Sequence, residues 1–194
     1  TSIQSGTYEL SSAMSIVDIA RELQDSTPAD VTFVVLPGWR MEEIAASLPT
    51  SGLGATPEQF LETARDPHYL DSMPEAVSTE GFLYPDSYIL PRATNAERLA
   101  EELTRNFSLH LTTDLTEGFS RQNLTVYQAV TLASIVERES IQDEEDPQIA
   151  SVYLNRLNIG MKLDADPTVQ YALGFNPVQN SWWTNPLSAT DVAS

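Results

Sequence analysis

The chain has no cysteine, which removes disulfides and thiolate metal sites without fixing a compartment. Its two histidines, His68 and His110, stand far apart and lack the spacing of a metal pair, so no metal and no cofactor is expected. Basic residues are scarce: 10 Lys and Arg against 28 Asp and Glu leave a formal net charge of −18. Affinity for nucleic acid comes from neutralising phosphates with Lys and Arg, so nucleic acid is not an expected partner, and an anionic membrane surface would repel the chain. A neutral or mixed-charge polymer is compatible with this balance. There is no apolar run of about 18 residues that could cross a bilayer as a helix. No basic leader followed by an apolar stretch is visible, and the chain opens at Thr1-Ser2 as a trimmed segment would. Internal repeats and low-complexity runs are also missing.

What is present is enough for a core. The 194 residues, 41% of them hydrophobic, allow one large or two small domains. Gly6 to Leu10 reads as a short strand, Ser15 caps a helix through Leu23, and Val31 to Leu36 is a second strand before the Pro37-Gly38 turn. Arg40 to Leu48 has Met41, Ile44, Ala45 and Leu48 at helical spacing, and Pro57 opens a further helix through Ala64. Residues 66–92, with four prolines, show little regular patterning. A long helix follows from Asn95 to about His110, then a polar linker over 111–124. Gln142 to Asp146 is an acidic turn without calcium-loop spacing. Ile149 to Leu157 forms another helix, with Val152, Tyr153 and Leu157 as core, and Gly160 stops it. Thr168 to Leu173 is a short helix for which Asp166 is a candidate N-cap. Trp182 and Trp183 lie in a tail without a strong pattern.

The most informative stretch is Thr125 to Ser140, TVYQAVTLASIVERES. Thr125 is placed to cap a helix whose apolar residues, from Val126 to Val136, cover more than half of the circumference at ~100° per residue. Such a helix is packed on several sides. Glu137 and Glu139, in its last turn, fall at the two opposite margins of the apolar arc, while Arg138 points to the polar side. A carboxyl held partly away from water has its pKa raised, and this makes a general acid near neutral pH. A salt-bridged surface glutamate would fit the same position, and the pattern does not choose between the two residues. Elsewhere, Glu80 to Tyr88 interleaves aromatics with carboxylates, which suits a carbohydrate surface: sugar C–H faces pack on rings and hydroxyls bond to carboxylates.

The elements EGFLYPDSY, LASIVERES, VYLNRLNIGMKL and DPTVQYALG, in this order, resemble the YceG-like endolytic murein transglycosylases, the MltG family. GTYEL, the helix after it and VTFVVLPGW resemble that family's LysM-like subdomain. The resemblance implies an α+β protein: a small LysM-like α/β subdomain over residues 1–50, followed over 51–194 by a mainly helical catalytic domain with short strands. It also implies a membrane anchor and a YNTY…GLPPGPI-type segment, neither of which is among these residues, so a C-terminally truncated catalytic unit is expected. The implied place of action is the extracytoplasmic face of the bacterial cell membrane. Implied partners are peptidoglycan glycan strands and peptidoglycan synthases.

The implied reaction is cleavage between N-acetylmuramic acid and N-acetylglucosamine in nascent strands, leaving 1,6-anhydro ends and terminating the strand. It needs one essential glutamate. The family's key glutamate matches the second acidic residue of the apolar helix, and Glu139-Ser140 has the Glu-Ser form seen in distantly related lytic transglycosylases. Glu139 is therefore the expected acid and base, with Glu137 as the alternative. Glu80, Tyr84, Asp86 and Tyr88 are expected to line the groove. Asn155, Asp166, Thr168 and Gln170 are expected to bind sugar groups or orient Glu139. Two other readings compete: a non-catalytic peptidoglycan-binding module, and a lysozyme-like hydrolase pairing Glu139 with Asp166 or Glu80, since a hydrolase normally uses two carboxylates.

Overall fold

Two short strands lie at the centre of the N-terminal part of the computed structural model, which describes Tyr8 and residues 10–24, 29–70 and 73–192. Strand β1 (Asp30–Val34) pairs antiparallel with β2 (Ser87–Pro91), Phe33 opposite Tyr88 and Val31 opposite Leu90. Side chains alternate across a strand, so Phe33 and Leu90 turn inward together while Thr32, Val34, Ser87 and Ile89 face outward. The strand expected over Gly6–Leu10 lies outside the described residues apart from Tyr8 and Leu10. Strand β2 falls in the section expected to lack regular structure. Pro85 and Pro91 obscure it, yet a proline is tolerated at the end of a strand in a sheet this small.

Helix α1 (Ile16–Glu22) precedes β1 and leaves Ile16 and Val17 exposed. Helices α2 (Met41–Ser51), α3 (Pro57–Ala64) and α4 (Ala96–His110) cover the inner face of the ribbon and build the core. Thr56 caps α3 by accepting from Gln59 N–H at 3.3 Å, with Pro57 at the first helical position. Asn95 caps α4 by accepting from Arg98 N–H at 2.9 Å. Phe33, Ile44, Leu48, Phe60, Leu90, Leu99 and Leu103 form one cluster. The division expected at residue 50 falls in the last turn of α2, and this cluster draws on residues from both sides of it.

The C-terminal part consists of α5 (Thr113–Arg121), α6 (Val126–Glu139), α7 (Asp146–Asn158), α8 (Asp166–Leu173) and α9 (Ala189–Val192). Segment 111–124, expected as a linker, is largely α5, whose Leu115 and Phe119 stand at helical spacing although no residue of the helix is fully buried. Helix α7 starts three residues earlier than expected, at Asp146-Pro147, and Val152 and Leu157 are exposed while Tyr153 is buried. Helix α8 likewise starts at Asp166. Its cap position is Ala165, so Asp166 is a first-turn acid and not the N-cap.

Helix α6 joins the two parts. Thr125 Oγ1 accepts from Gln128 N–H at 3.2 Å, and Gln128 Oε1 accepts from Thr125 N–H at 3.0 Å, a reciprocal cap that fixes the helix start. Its first half, through Val126, Tyr127 and Val130, packs on Leu70, Met73, Ala76 and Phe82. Its second half, through Leu132, Ile135 and Val136, packs on Tyr153 of α7 and on Ala165 beside α8. The protein is thus α+β, mostly helical, with one two-stranded sheet among the described residues.

Candidate active site

The end of α6 presents its two glutamates in different directions, as their separation of about 200° requires. Glu139 is half-buried on the α7 side, and its Oε1 accepts the Tyr153 hydroxyl at 3.1 Å. Tyr153 is only 6% exposed. Burial first, and then the Glu139 charge and hydrogen bond, push its phenol pKa up to about 12, so it stays a donor. Asp166, at the start of α8, contributes a weaker push on the same phenol. Glu137 turns the other way, toward the Pro37-Gly38 turn. A Cβ on Gly38 would lie 3.6 Å from Glu137 Cγ and 3.6 Å from Arg138 Nη1, and Gly38 has φ +72°. Glycine adopts that conformation without strain, and a Cβ there would make only ordinary contact with α6. Partial desolvation raises the Glu137 pKa, the Asp146 and Asp143 charges add to it, and Arg138 opposes them.

A second group lies at the start of α2. Glu80 Oε2 accepts Met41 N–H at 2.8 Å, the kind of free amide that a helix N-terminus offers. Burial pushes the Glu80 pKa up to about 7; the Met41 bond and Arg40 oppose the shift, and the Glu42 and Glu43 charges add to it. Arg40, at the cap position of α2, is 6% exposed. Its partners come mainly from the far end of the chain. Nη1 donates to the Tyr171 carbonyl at 3.1 Å, and the guanidinium lies 4.0 Å from the Tyr171 ring centroid and 4.9 Å from that of Trp182. Nε meets Glu42 at 3.2 Å. Trp183 completes the link: its Nε1 donates to Glu43 at 3.2 Å and its ring lies 3.9 Å from the Arg138 guanidinium.

The expected groove residues divide among these surroundings. Glu80 belongs to the α2 group. Tyr84, Asp86 and Tyr88 belong to the β2–α4 side: Asn106 Nδ2 donates to Asp86 at 3.1 Å and to Tyr88 at 3.0 Å, the Tyr88 hydroxyl donates to the Tyr84 carbonyl at 2.6 Å, and the Tyr84 ring stacks on His110 at 4.0 Å. No hydrogen bond or ring contact joins these three to Glu139 or Glu80 among the described residues. Asn155 is exposed on α7. Thr168 Oγ1 donates to the Ala165 carbonyl at 2.7 Å, and Gln170 Nε2 to the Thr184 carbonyl at 2.9 Å, so both serve the local turn and the tail. Arg40, Tyr171, Trp182 and Trp183 were not among the expected residues. Arg40 and Tyr171 are 131 positions apart, and only the adjacent pair of tryptophans marked the tail in the sequence.

The YceG-like family model matches residues 1–191. The chain belongs to the YceG-like family. Among curated proteins, an endolytic murein transglycosylase of Streptococcus pneumoniae strain R6 is 30% identical over 204 residues, covering 90% of this chain and 36% of that protein. An endolytic murein transglycosylase of Bacillus subtilis strain 168 is 26% identical over 188 residues, covering 88% and 52%. This YceG-like chain thus spans from 36% to 52% of the length of these relatives. Its fold matches the crystal structure of a protein from Listeria monocytogenes described as YceG-like, with a TM-score of 0.69 and 28% identity over 97% of this chain and 65% of that one.

Proposed function

We propose that this chain carries the acid–base centre of an endolytic peptidoglycan lytic transglycosylase, with Glu139 as the proton donor and acceptor. The observation that carries the reading is the half-buried Glu139 at the end of α6, fixed by the buried Tyr153 hydroxyl in a chain whose relatives are named endolytic murein transglycosylases. Protonated Glu139 donates to the oxygen between N-acetylmuramic acid and N-acetylglucosamine as the C1–O bond breaks. The carboxylate then takes the proton from the C6 hydroxyl, whose oxygen attacks C1 of the same sugar. No water is consumed and a 1,6-anhydro end results. The neighbouring acetamido group stabilises the charge at C1, and the tethered nucleophile has a high effective molarity. The substrate places the reaction outside the cytoplasmic membrane; among the described residues no helix is long and apolar enough to cross one. The strand-terminating role, synthase partners and the LysM-like reading of residues 1–50 rest on the motif resemblance.

One observation favours a second assignment. Glu137 has its pKa raised by partial desolvation and faces the Gly38 turn, which makes it the alternative acid. The test is Glu139→Gln and Glu137→Gln in the intact protein, with glycan products weighed by mass spectrometry. Glu139→Gln is expected to lower turnover by at least about 100-fold, the scale of general acid catalysis, and Glu137→Gln by much less. Wild-type product ends should be lighter by one water than hydrolytic ends. Reducing ends in place of anhydro ends would make the enzyme a hydrolase, and the reverse ranking of the two variants would move the acid to Glu137.

A further inference from the structure

A buried tyrosine hydroxyl must find an acceptor. The hydroxyls of Tyr8 and Tyr88 use backbone carbonyls, those of Leu23 and Tyr84. That of Tyr153 uses a side chain, the Oε1 atom of Glu139 at 3.1 Å. Among the described residues Glu139 receives this bond alone, and its Oε2 has no hydrogen-bond or ion-pair partner. Oε2 is not sealed either, since Asp146 Oδ1 alone among them is a fully buried side-chain polar atom without a partner. The two oxygens of the half-buried Glu139 therefore differ: one is fixed from inside the fold, and the other opens outward.

Tyr153 is itself held from several sides. Its ring packs with Leu132, Ile135 and Val136 of α6 and with Ala165 before α8. Arg156, three positions further along α7, lies on the same helix face. Its guanidinium is 5.9 Å from the centroid of the Tyr153 ring, and its Nη1 donates to the Leu163 carbonyl. The segment that leads into α8 is thereby tied beside the ring. Packing aims the hydroxyl at Glu139 before any glycan arrives. With its pKa pushed up to about 12, the phenol keeps its proton near neutral pH and acts only as a donor to the carboxyl.

We propose that Tyr153 is a positioning residue of the reaction: its hydroxyl fixes Oε1, leaves Oε2 as the atom that exchanges the proton with the glycan, and stabilises the Glu139 carboxylate as it forms. This rests on the transglycosylase reading with Glu139 as the acid. As the C1–O bond breaks, the proton passes from Oε2 to the leaving oxygen and the negative charge stays on the carboxyl. Tyr153 donates to that carboxyl throughout, and a hydrogen bond strengthens as its acceptor becomes charged. The gain falls on the transition state and not on glycan binding. When the C6 hydroxyl returns its proton to Oε2, the bond relaxes and the starting state is restored.

The test compares Tyr153→Phe with wild type in the intact protein, on soluble, uncross-linked glycan strands. Phenylalanine keeps the packed ring and removes only the donor, and a thermal melt reports whether the variant has folded. Its kcat should fall about 10-fold, the scale of one charge-assisted hydrogen bond, while KM stays within about twofold. In a Glu139→Gln background the same change should cost the residual rate nothing further, because the charge it serves no longer forms. A merely structural role would lower the rate in both backgrounds. Tyr153→Met, apolar and without a donor, repeats the comparison if Tyr153→Phe melts below the assay temperature. Unchanged kcat in the folded variant, a loss carried by KM alone, or an equal loss in the Glu139→Gln background overturns the inference. Glu139→Gln working at the wild-type rate would overturn the assignment of Glu139 instead, whatever Tyr153→Phe does.

Discussion

Tyr153 holds Glu139 through its hydroxyl, and Met41 holds Glu80 through its amide. Among the described residues neither carboxyl has a cation as its hydrogen-bond partner: Arg40 meets Glu42 and the Tyr171 carbonyl, and Arg138 lies against the Trp183 ring. At Glu80 burial prevails, because a neutral amide opposes the shift less than a paired arginine would. For Glu80 this has a consequence for stability. Its folded pKa of about 7 lies above the ordinary 4.5, so between these values the folded state binds more protons than the unfolded chain. Stability therefore falls as pH rises through this window, by about 3 kcal/mol in total, and is independent of Glu80 above it. Glu80→Gln removes the slope. Its melting temperature should match wild type near pH 4.5 and exceed it at about pH 8. Thermal melts across that range check this, and a constant difference at every pH would show that Glu80 titrates normally in the fold.

At the scale of elements, α6 can be read from the sequence because its cap, its apolar stripe and its end are all local. Thr125 and Gln128 are three positions apart, and the stripe repeats at helical spacing. Thr125 also donates to Glu75 Oε2 at 2.9 Å, a contact between distant segments that no local pattern announces. Thr125→Ala should cost about 1 kcal/mol, and up to about 2 with the Glu75 bond lost as well. Chemical denaturation would register this as a lower midpoint with an unchanged slope; an unmoved midpoint would mean that the cap does not anchor the helix. Helices α2, α3 and α4 were legible for the same reason. Strand β2 was not, because five residues between prolines carry little signal until β1 lies beside them. Helix α5 was not, because its apolar stripe, Leu115 and Phe119 within nine residues, is short and set among polar neighbours. At the site, the opposed directions of Glu137 and Glu139 follow from helix geometry alone. The Arg40 and Trp183 contacts depend on chain ends meeting across more than a hundred positions, and only the folded arrangement contains that information.

The whole molecule has two packed regions joined along α6 and a tail that crosses back to the first. Trp183 is the crossing point. Its ring faces Arg138 at the end of α6, and its N–H reaches Glu43 in the first turn of α2. Arg40 adds Tyr171 and Trp182 to the same seam. In a chain of net charge −18, these two arginines are the cations that tie the carboxyl-rich start of α2 to the end of α6. Trp183→Ala removes a cation–π contact and a hydrogen bond to a carboxylate, together about 2–3 kcal/mol. Trp183→Phe keeps the ring over Arg138 and loses only the N–H, about half as much. The stability change should be accompanied by faster amide exchange over residues 174–192 and at the start of α2, with the sheet and α4 unaffected, because the seam joins only the tail, the start of α2 and the end of α6. The glycan KM should rise in the same order, alanine above phenylalanine above wild type, since a looser seam leaves the end of α6, which carries Glu139, less firmly held. Exchange at wild-type rates in Trp183→Ala would mean that the tail is held by other contacts and that the seam does not fix the start of α2.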